Sequence, residues 1–380
     1  MNCLVIASDI GITAPGIVYS TLINEMSKYV DITLLTYGIH DNLDDKIKIL
    51  KSKKHKFKSS TISKLSMKIL GLDIIESISA KINIYTTDFS SINSIDLIIS
   101  LTSFHNYESI EIARYLSRRY NLKWIIYSVD AIPAPLGWCN NDSFYRNTIA
   151  YISKRIKVSD GFFSSNNQML EYQLNLLGSY DKLSGVVYTP IRNNVKAINT
   201  LKEIVFLYTG GLYGPRKIEV LLSAFKRFVE EYPNSKMIFV GSYYFEYSDL
   251  LKQLIASGNV EIKSYVSDLT SYYSCASVLL DINAYFDDDV FLSSKIINYL
   301  PLGKPIISLT GYNSPSRNIF TEDDSVIHCL HEENEIYNAM HESIAVNVNA
   351  NKRKKYIEMF SKENIVRNFV DMITTNFNNL

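Results

Sequence analysis

Cysteine is sparse and unpaired. Cys3, Cys139, Cys275 and Cys329 stand far apart, so neither a zinc-ligand spacing nor a disulfide framework can be read, and a reducing cytoplasm is the expected compartment. A surplus of either charge is also missing. Lys plus Arg number 39 against 39 Asp plus Glu, which removes any chain-wide case for nucleic acid. No window approaches the ~20 apolar residues needed to cross a bilayer. The short run Cys3–Ala7 has no basic segment before it and is too short for a signal peptide. Proline is scarce, with 9 residues in the chain, and no long disordered tail is expected.

What is present is apolar residue, 47% of 380 positions, enough for two cores of roughly 150–200 residues each. The first core opens with a strand at Cys3–Ser8, a loop carrying Gly11, Pro15 and Gly16, a helix at Ile17–Tyr29 and a strand at Ile32–Thr36. Strand, glycine loop, helix, strand implies a doubly wound sheet. The loop does not spell G-x-G-x-x-G, so Gly11 and Gly16 either make the turn or admit a ligand to the backbone. Strands are expected at Asp96–Leu101, Lys123–Val129, Gly161–Ser165 and Val186–Tyr188. Helices are expected at Tyr107–Tyr120, Ser143–Lys157 and Asn167–Leu177. Asp130 ends one strand where open α/β sheets bind ligands. It is either a polar anchor or a loop cap. His105, past another strand end, is similarly placed.

From Lys46 to Lys68 there are nine lysines and no acidic residue. The segment Ile62–Leu72 beside them can form a helix with Ile62, Leu65, Ile69 and Leu72 apolar. This is either a solvated loop or a cationic surface that meets an anionic membrane; RNA is a weaker third reading, since Phe57 is the one aromatic residue among the lysines.

After the linker-like TPIRNNVKAINT the pattern restarts. A strand at Ile204–Thr209 leads into Gly210, Gly211, Arg216 and Lys217, then a helix from about Glu219 to Tyr232. A strand at Lys236–Val240, a helix at Asp249–Ala256, a strand at Val260–Lys263 and a short helix at Leu269–Cys275 follow. Two glycines and two cations at a helix start can hold a diphosphate, although the P-loop spacing fails. The stretch Ser277–Leu309 then supplies a strand at Val278–Ile282, an acidic loop, a capped helix at Lys295–Leu300 and a strand at Pro305–Leu309. Ser293 or Ser294 is placed to cap that helix, whose first amides suit a phosphate. Asp287–Asp289 reads as a solvated acidic loop rather than a metal site.

Three segments, TGGLYGPRKIEVLLSAFKRF, SKMIFVGS and SSKIINYLPLGKPII, together resemble the C-terminal half of retaining glycosyltransferases of the family 4 type. The closing RKKYIEMFSKENIVRNFVDMI is similar to the C-terminal helices of that family. The resemblance implies the GT-B fold: two Rossmann-like α/β domains facing across a cleft, with a C-terminal helix crossing back to the first. It implies an acceptor-binding domain over residues 1–192, joined by a helix at about 365–380, and a nucleotide-sugar-binding domain over residues 200–362. The implied activity is glycosyl transfer with retention to a saccharide or lipid-linked saccharide, in cell-surface polysaccharide assembly. The donor is a UDP- or GDP-linked sugar, and no metal or other cofactor is implied. With the lysine run, it implies a cytoplasmic protein, either soluble or peripheral on the inner face of the cytoplasmic membrane. A nucleotide-sugar epimerase and an inactive binding scaffold of the same fold are the alternatives.

By the same resemblance, Lys217 and Arg216 contact the donor diphosphate, with Asp130 as the third catalytic candidate. Gly210, Gly211, Ser293, Ser294 and Lys295 line the donor. The family's arginine after the glycine falls on Gly211. Its paired glutamates fall on Val290 and Asn298, leaving Asn298 to bind ribose and Asp288 or Asp289 to stand in toward the sugar. Gly11, Gly16 and His105 belong to the acceptor side.

Overall fold

The structure, a computed structural model, describes residues 1–8, 10–11, 13–36, 43–51, 60–70, 74–89, 92–103, 108–138, 142–192, 203–244 and 246–377. The chain divides into two compact units, Met1–Pro190 with Phe360–Leu380, and Ile191–Met359.

The first unit is built on seven parallel strands: β1 (Asn2–Ala7), β2 (Asp31–Thr36), β3 (Lys48–Lys51), β4 (Leu97–Thr102), β5 (Lys123–Ser128), β6 (Gly161–Ser164) and β7 (Leu183–Val186). Their order is β3-β2-β1-β4-β5-β6-β7, a doubly wound sheet whose order reverses between β1 and β4. Both faces are covered, so the central strands are predominantly apolar. One face packs Val5, Ile99, Tyr127 and Phe163 against Val366, Phe369 and Ile373 of the C-terminal helix Lys362–Phe377. The other packs Ile6, Ile98, Trp124 and Phe162. Trp124 satisfies its indole N–H by donating to Ser100 Oγ at 2.9 Å.

The second unit repeats the plan with six parallel strands: β8 (Val205–Thr209), β9 (Lys236–Val240), β10 (Val260–Lys263), β11 (Val278–Ile282), β12 (Ile306–Leu309) and β13 (Val326–Cys329). The order β10-β9-β8-β11-β12-β13 reverses between β8 and β11, and the exits of those two strands carry the glycine turn and the acidic loop. Arg353 and Asp323 form a buried ion pair in this unit, and the guanidinium also donates to Lys304 O at 3.2 Å and Ser325 Oγ at 2.7 Å.

Some elements differ from the sequence reading. The last strand of the first sheet is Leu183–Val186 rather than Val186–Tyr188. Strand β3 lies inside the lysine run, and the helices Ile74–Thr86 and Pro315–Ile319 and strand β13 carry no clear periodicity in sequence. Of the basic segment, residues 52–59 lie outside the described residues; the helix beside it is Ser60–Leu70. Among the described residues no helix is long and apolar enough to cross a membrane.

Candidate functional site

The site begins where β8 ends. Gly210 has φ +128 and Gly241, after β9, has φ +149, values open to glycine and costly for side chains. A Cβ on Gly241 would stand 2.1 Å from Gly210 O, so two strand exits cross there with backbone against backbone. The turn is pinned by Gly210 N donating to Val240 O at 2.8 Å and Leu212 N donating to Ser242 O at 3.0 Å. Tyr208 Oη adds a bond to Gly211 O at 2.9 Å. Thr209 is held by Tyr299, whose Oη accepts its backbone N–H at 3.0 Å. Past the turn, the Arg216 guanidinium stacks 4.9 Å from the Tyr213 ring.

The second wall comes from the loop after β11. Asn313 closes that loop: its N–H donates to Asp287 O at 2.8 Å, and its carbonyl accepts the Asp289 N–H at 2.9 Å. Asp289 is buried and its Oδ1 accepts the Phe291 N–H at 3.1 Å. Ser293 caps the helix Ser294–Tyr299, accepting Lys295 N–H at 3.2 Å. Lys295 then runs back over the glycine turn. A Cβ at Gly210 would lie 2.4 Å from its Cε and 3.4 Å from its Nζ, and its ammonium stands 5.4 Å from the centre of the Tyr208 ring. Asn298, one helical turn on, gives Nδ2–H to Ser294 O at 2.6 Å and accepts the Arg192 backbone N–H on Oδ1 at 2.9 Å. It thereby anchors Arg192 beside the cluster.

Three cations, Lys295, Arg216 and Arg192, thus gather with the carboxylates of Asp281 and Asp289. Burial, together with the repulsion of Arg216 and Arg192, lowers the Lys295 pKa to about 8, with Asp281 opposing the shift. Arg192 is lowered by burial. Asp289 is raised to about 6 by burial, against the pull of the Phe291 and Val290 amides and of Arg216. Asp281 is fully buried: Oδ2 accepts from Asn283 at 2.8 Å and Ser308 at 3.0 Å, while Oδ1 has no hydrogen-bond partner. A buried lysine whose proton affinity is depressed by two neighbouring guanidiniums marks a site prepared for an anion.

The expected site residues fall unevenly. Gly210, Gly211, Arg216, Asp289, Ser293, Ser294, Lys295 and Asn298 lie on the two walls. Lys217 is exposed, and Arg216 is the member of the pair that acts on Lys295, Asp289 and Tyr208. Val290 is buried and apolar. In the first unit, Gly11 has φ 80 and donates its N–H to Gly16 O at 2.9 Å, and Gly16 N–H is taken by Thr13 Oγ1 at 3.1 Å, so both N–H groups bond within the turn. Asp130 is half-buried after β5, its carbonyl accepts from Ser128 Oγ at 2.5 Å, and its charge helps to raise Tyr19 and Tyr127. His105 lies outside the described residues. Among the described residues no group of His, Cys, Asp and Glu is arranged to hold a metal. Arg192 sits inside the linker-like TPIRNNVKAINT, where no spacing marks it, whereas Asp281 is signalled by its lone charge within the apolar run of β11.

No protein-family model and no curated protein matches the chain. Solved structures do. HepE (Alr3699) from Anabaena, in complex with UDP and glucose, aligns with TM-score 0.66 at 13% identity, covering 98% of this chain and 99% of that one. Sucrose-phosphate synthase from Thermosynechococcus elongatus aligns with TM-score 0.69 at 14% identity over 100% of both chains. The lipopolysaccharide outer core galactosyltransferase WaaB aligns with TM-score 0.63 at 17% identity, over 99% of this chain and 100% of that one. With the two doubly wound sheets, these likenesses show the GT-B fold.

Proposed function

We propose that the chain is a glycosyltransferase that moves a sugar from a nucleoside-diphosphate sugar, UDP-linked by preference, to a saccharide or lipid-linked saccharide with retention, in cell-surface polysaccharide assembly. The observation that carries it is the cation cluster of Lys295, Arg216 and Arg192 over the Gly210 turn. When the bond between the anomeric carbon and the diphosphate breaks, charge grows on the leaving oxygens. Fixed cations in a half-buried site stabilise that charge more than the ground state. Lys295 and Arg216 are assigned to the diphosphate, and Asp289, beside Val290, to the donor sugar. Arg192, through Asn298, completes the cluster, with Lys217 at its exposed margin. Support for the donor comes from HepE, described in complex with UDP and glucose, and support for the pathway from WaaB, described as a lipopolysaccharide outer core galactosyltransferase. Retention rests on the resemblance to family 4 enzymes. Asp130 and the Gly11–Gly16 turn, with His105, are assigned to the acceptor.

A peripheral place on the anionic inner face of the cytoplasmic membrane belongs to the same reading. Its support is the helix Ser60–Leu70, which leaves Ile62, Leu65 and Ile69 between 52% and 56% exposed beside the nine lysines of Lys46–Lys68. Apolar side chains on one helix face with flanking cations suit a lipid interface.

The test is incubation with UDP-, GDP- and dTDP-sugars, with and without membrane-extracted acceptors, followed by mass spectrometry of the products. Acceptor-dependent transfer that falls about 10²–10³-fold in Arg216→Ala and in Lys295→Ala supports the assignment. Conversion of the nucleotide sugar without any acceptor, or no turnover with any donor, contradicts it.

A further inference from the structure

A cavity of about 480 Å³ lies in the first unit, lined by Tyr85, Phe89, Tyr115, Tyr120, Arg119 and Asp88 among others. Its volume is within the roughly 300–1,000 Å³ typical of small-molecule sites. It is formed where the helices Ile74–Thr86 and Glu108–Tyr120 end and the chain enters β4 and β5. That is the strand-entry edge of the sheet, opposite the strand-exit edge that carries Asp130. The donor and acceptor assignments use none of these residues.

The lining is unusual in composition and in order. The Tyr85 and Tyr115 rings stand 6.4 Å apart at 60°, forming a corner of two ring faces. Tyr85 is 77% exposed, a large aromatic surface that folding leaves in water. The Arg119 guanidinium lies 5.9 Å from the Tyr115 ring and 5.6 Å from the Tyr120 ring, and it donates to Tyr115 Oη at 2.7 Å. The fork is thus held in place rather than left to swing. Thr87, also on the lining, has a buried hydroxyl with no hydrogen-bond partner.

We propose that this cavity is a saccharide-binding site, separate from the donor site. Ring faces accept the apolar C–H face of a pyranose, while a planar guanidinium and a carboxylate pair with neighbouring hydroxyls. One cation beside one carboxylate does not select a phosphate, and the polar lining does not suit an acyl chain. The saccharide class follows from the cavity itself. Its use as a docking point for a growing chain rests on the transferase reading.

Because Tyr85 and Arg119 are exposed, their replacement leaves the core intact. The experiment is native electrophoresis of the full chain through gels cast with dextran, glycogen, galactomannan or an acidic exopolysaccharide, with UDP titration calorimetry in parallel. Retardation by at least one polymer is expected. Tyr85→Ala and Arg119→Ala should each raise the polymer concentration needed by about tenfold, with UDP affinity unchanged. No retardation by any polymer, or retardation that persists in both variants, overturns the proposal. Anionic-vesicle binding lost in Tyr85→Ala without polymer retardation gives the surface to lipid and also overturns it. Polymer retardation without nucleotide binding leaves this site standing and removes the transferase reading alone.

Discussion

At the scale of single residues, Lys295 sets the behaviour expected of the proposed donor site. Its charged form is penalised by burial and by Arg216 and Arg192, so it loses its proton near pH 8 in the free protein. A bound diphosphate favours the charged form and must therefore bind more weakly as pH rises through about 8. UDP affinity is expected to be flat from neutral pH to just below that value and to fall above it. Lys295→Arg, which stays charged, should remove the dependence. Titration calorimetry across the pH series checks this, and a dependence that survives the arginine variant contradicts it. The linkage to folding has the opposite sign. The unfolded lysine keeps its proton to 10.5 while the folded one releases it near 8, so the stability of the free protein should rise between those values. Gly210→Ala should weaken nucleotide binding, because a side chain at φ +128 strains the turn and its Cβ displaces the end of Lys295. The sequence displayed the glycines and the adjacent cations but not which cation points inward. Arg216 does so because Gly214, at φ 61, and Pro215 set the turn before it, a conformational fact that residue spacing does not carry.

At the scale of elements, alternation of apolar strands with amphipathic helices made most of both sheets legible. What sequence hid were elements whose composition argues against them. Strand β3 is a four-residue edge strand, KILK, that reads as part of a basic loop, and the polar His328 interrupts β13. Both are fixed by parallel pairing with a neighbour rather than by local preference. The helix Ser60–Leu70 was legible by period, but only the structure shows that Ile62, Leu65 and Ile69 are left exposed. If that ridge meets lipid, the double variant Leu65→Ser and Ile69→Ser should sediment less with phosphatidylglycerol vesicles than the unaltered protein, with unchanged thermal stability. Equal sedimentation refutes the membrane assignment, and a large loss of stability shows that the ridge serves the fold.

At the scale of the whole molecule, the chain begins and ends in the same unit. The helix Lys362–Phe377 buries Ile365, Val366, Phe369, Val370 and Ile373 against the first sheet's core. Burial at about 1.5–3 kcal/mol each amounts to on the order of 10 kcal/mol, comparable with a domain's entire stability. Ending the chain at Met359 should therefore unfold the first unit and spare the second, seen as selective loss of one set of amide resonances. Retention of both sets contradicts that packing.

The central claim is that Lys295 and Arg216 hold a nucleoside diphosphate over the Gly210 turn. Titration calorimetry of UDP into the full chain at neutral pH tests it most directly, alongside Lys295→Ala, Arg216→Ala and the exposed Lys217→Ala. The account predicts binding that weakens at least about tenfold in each of the first two variants, as loss of a charge-assisted contact requires, and changes far less in the third. Absence of binding by UDP, GDP and dTDP alike, or UDP affinity that survives both inner substitutions, would contradict it.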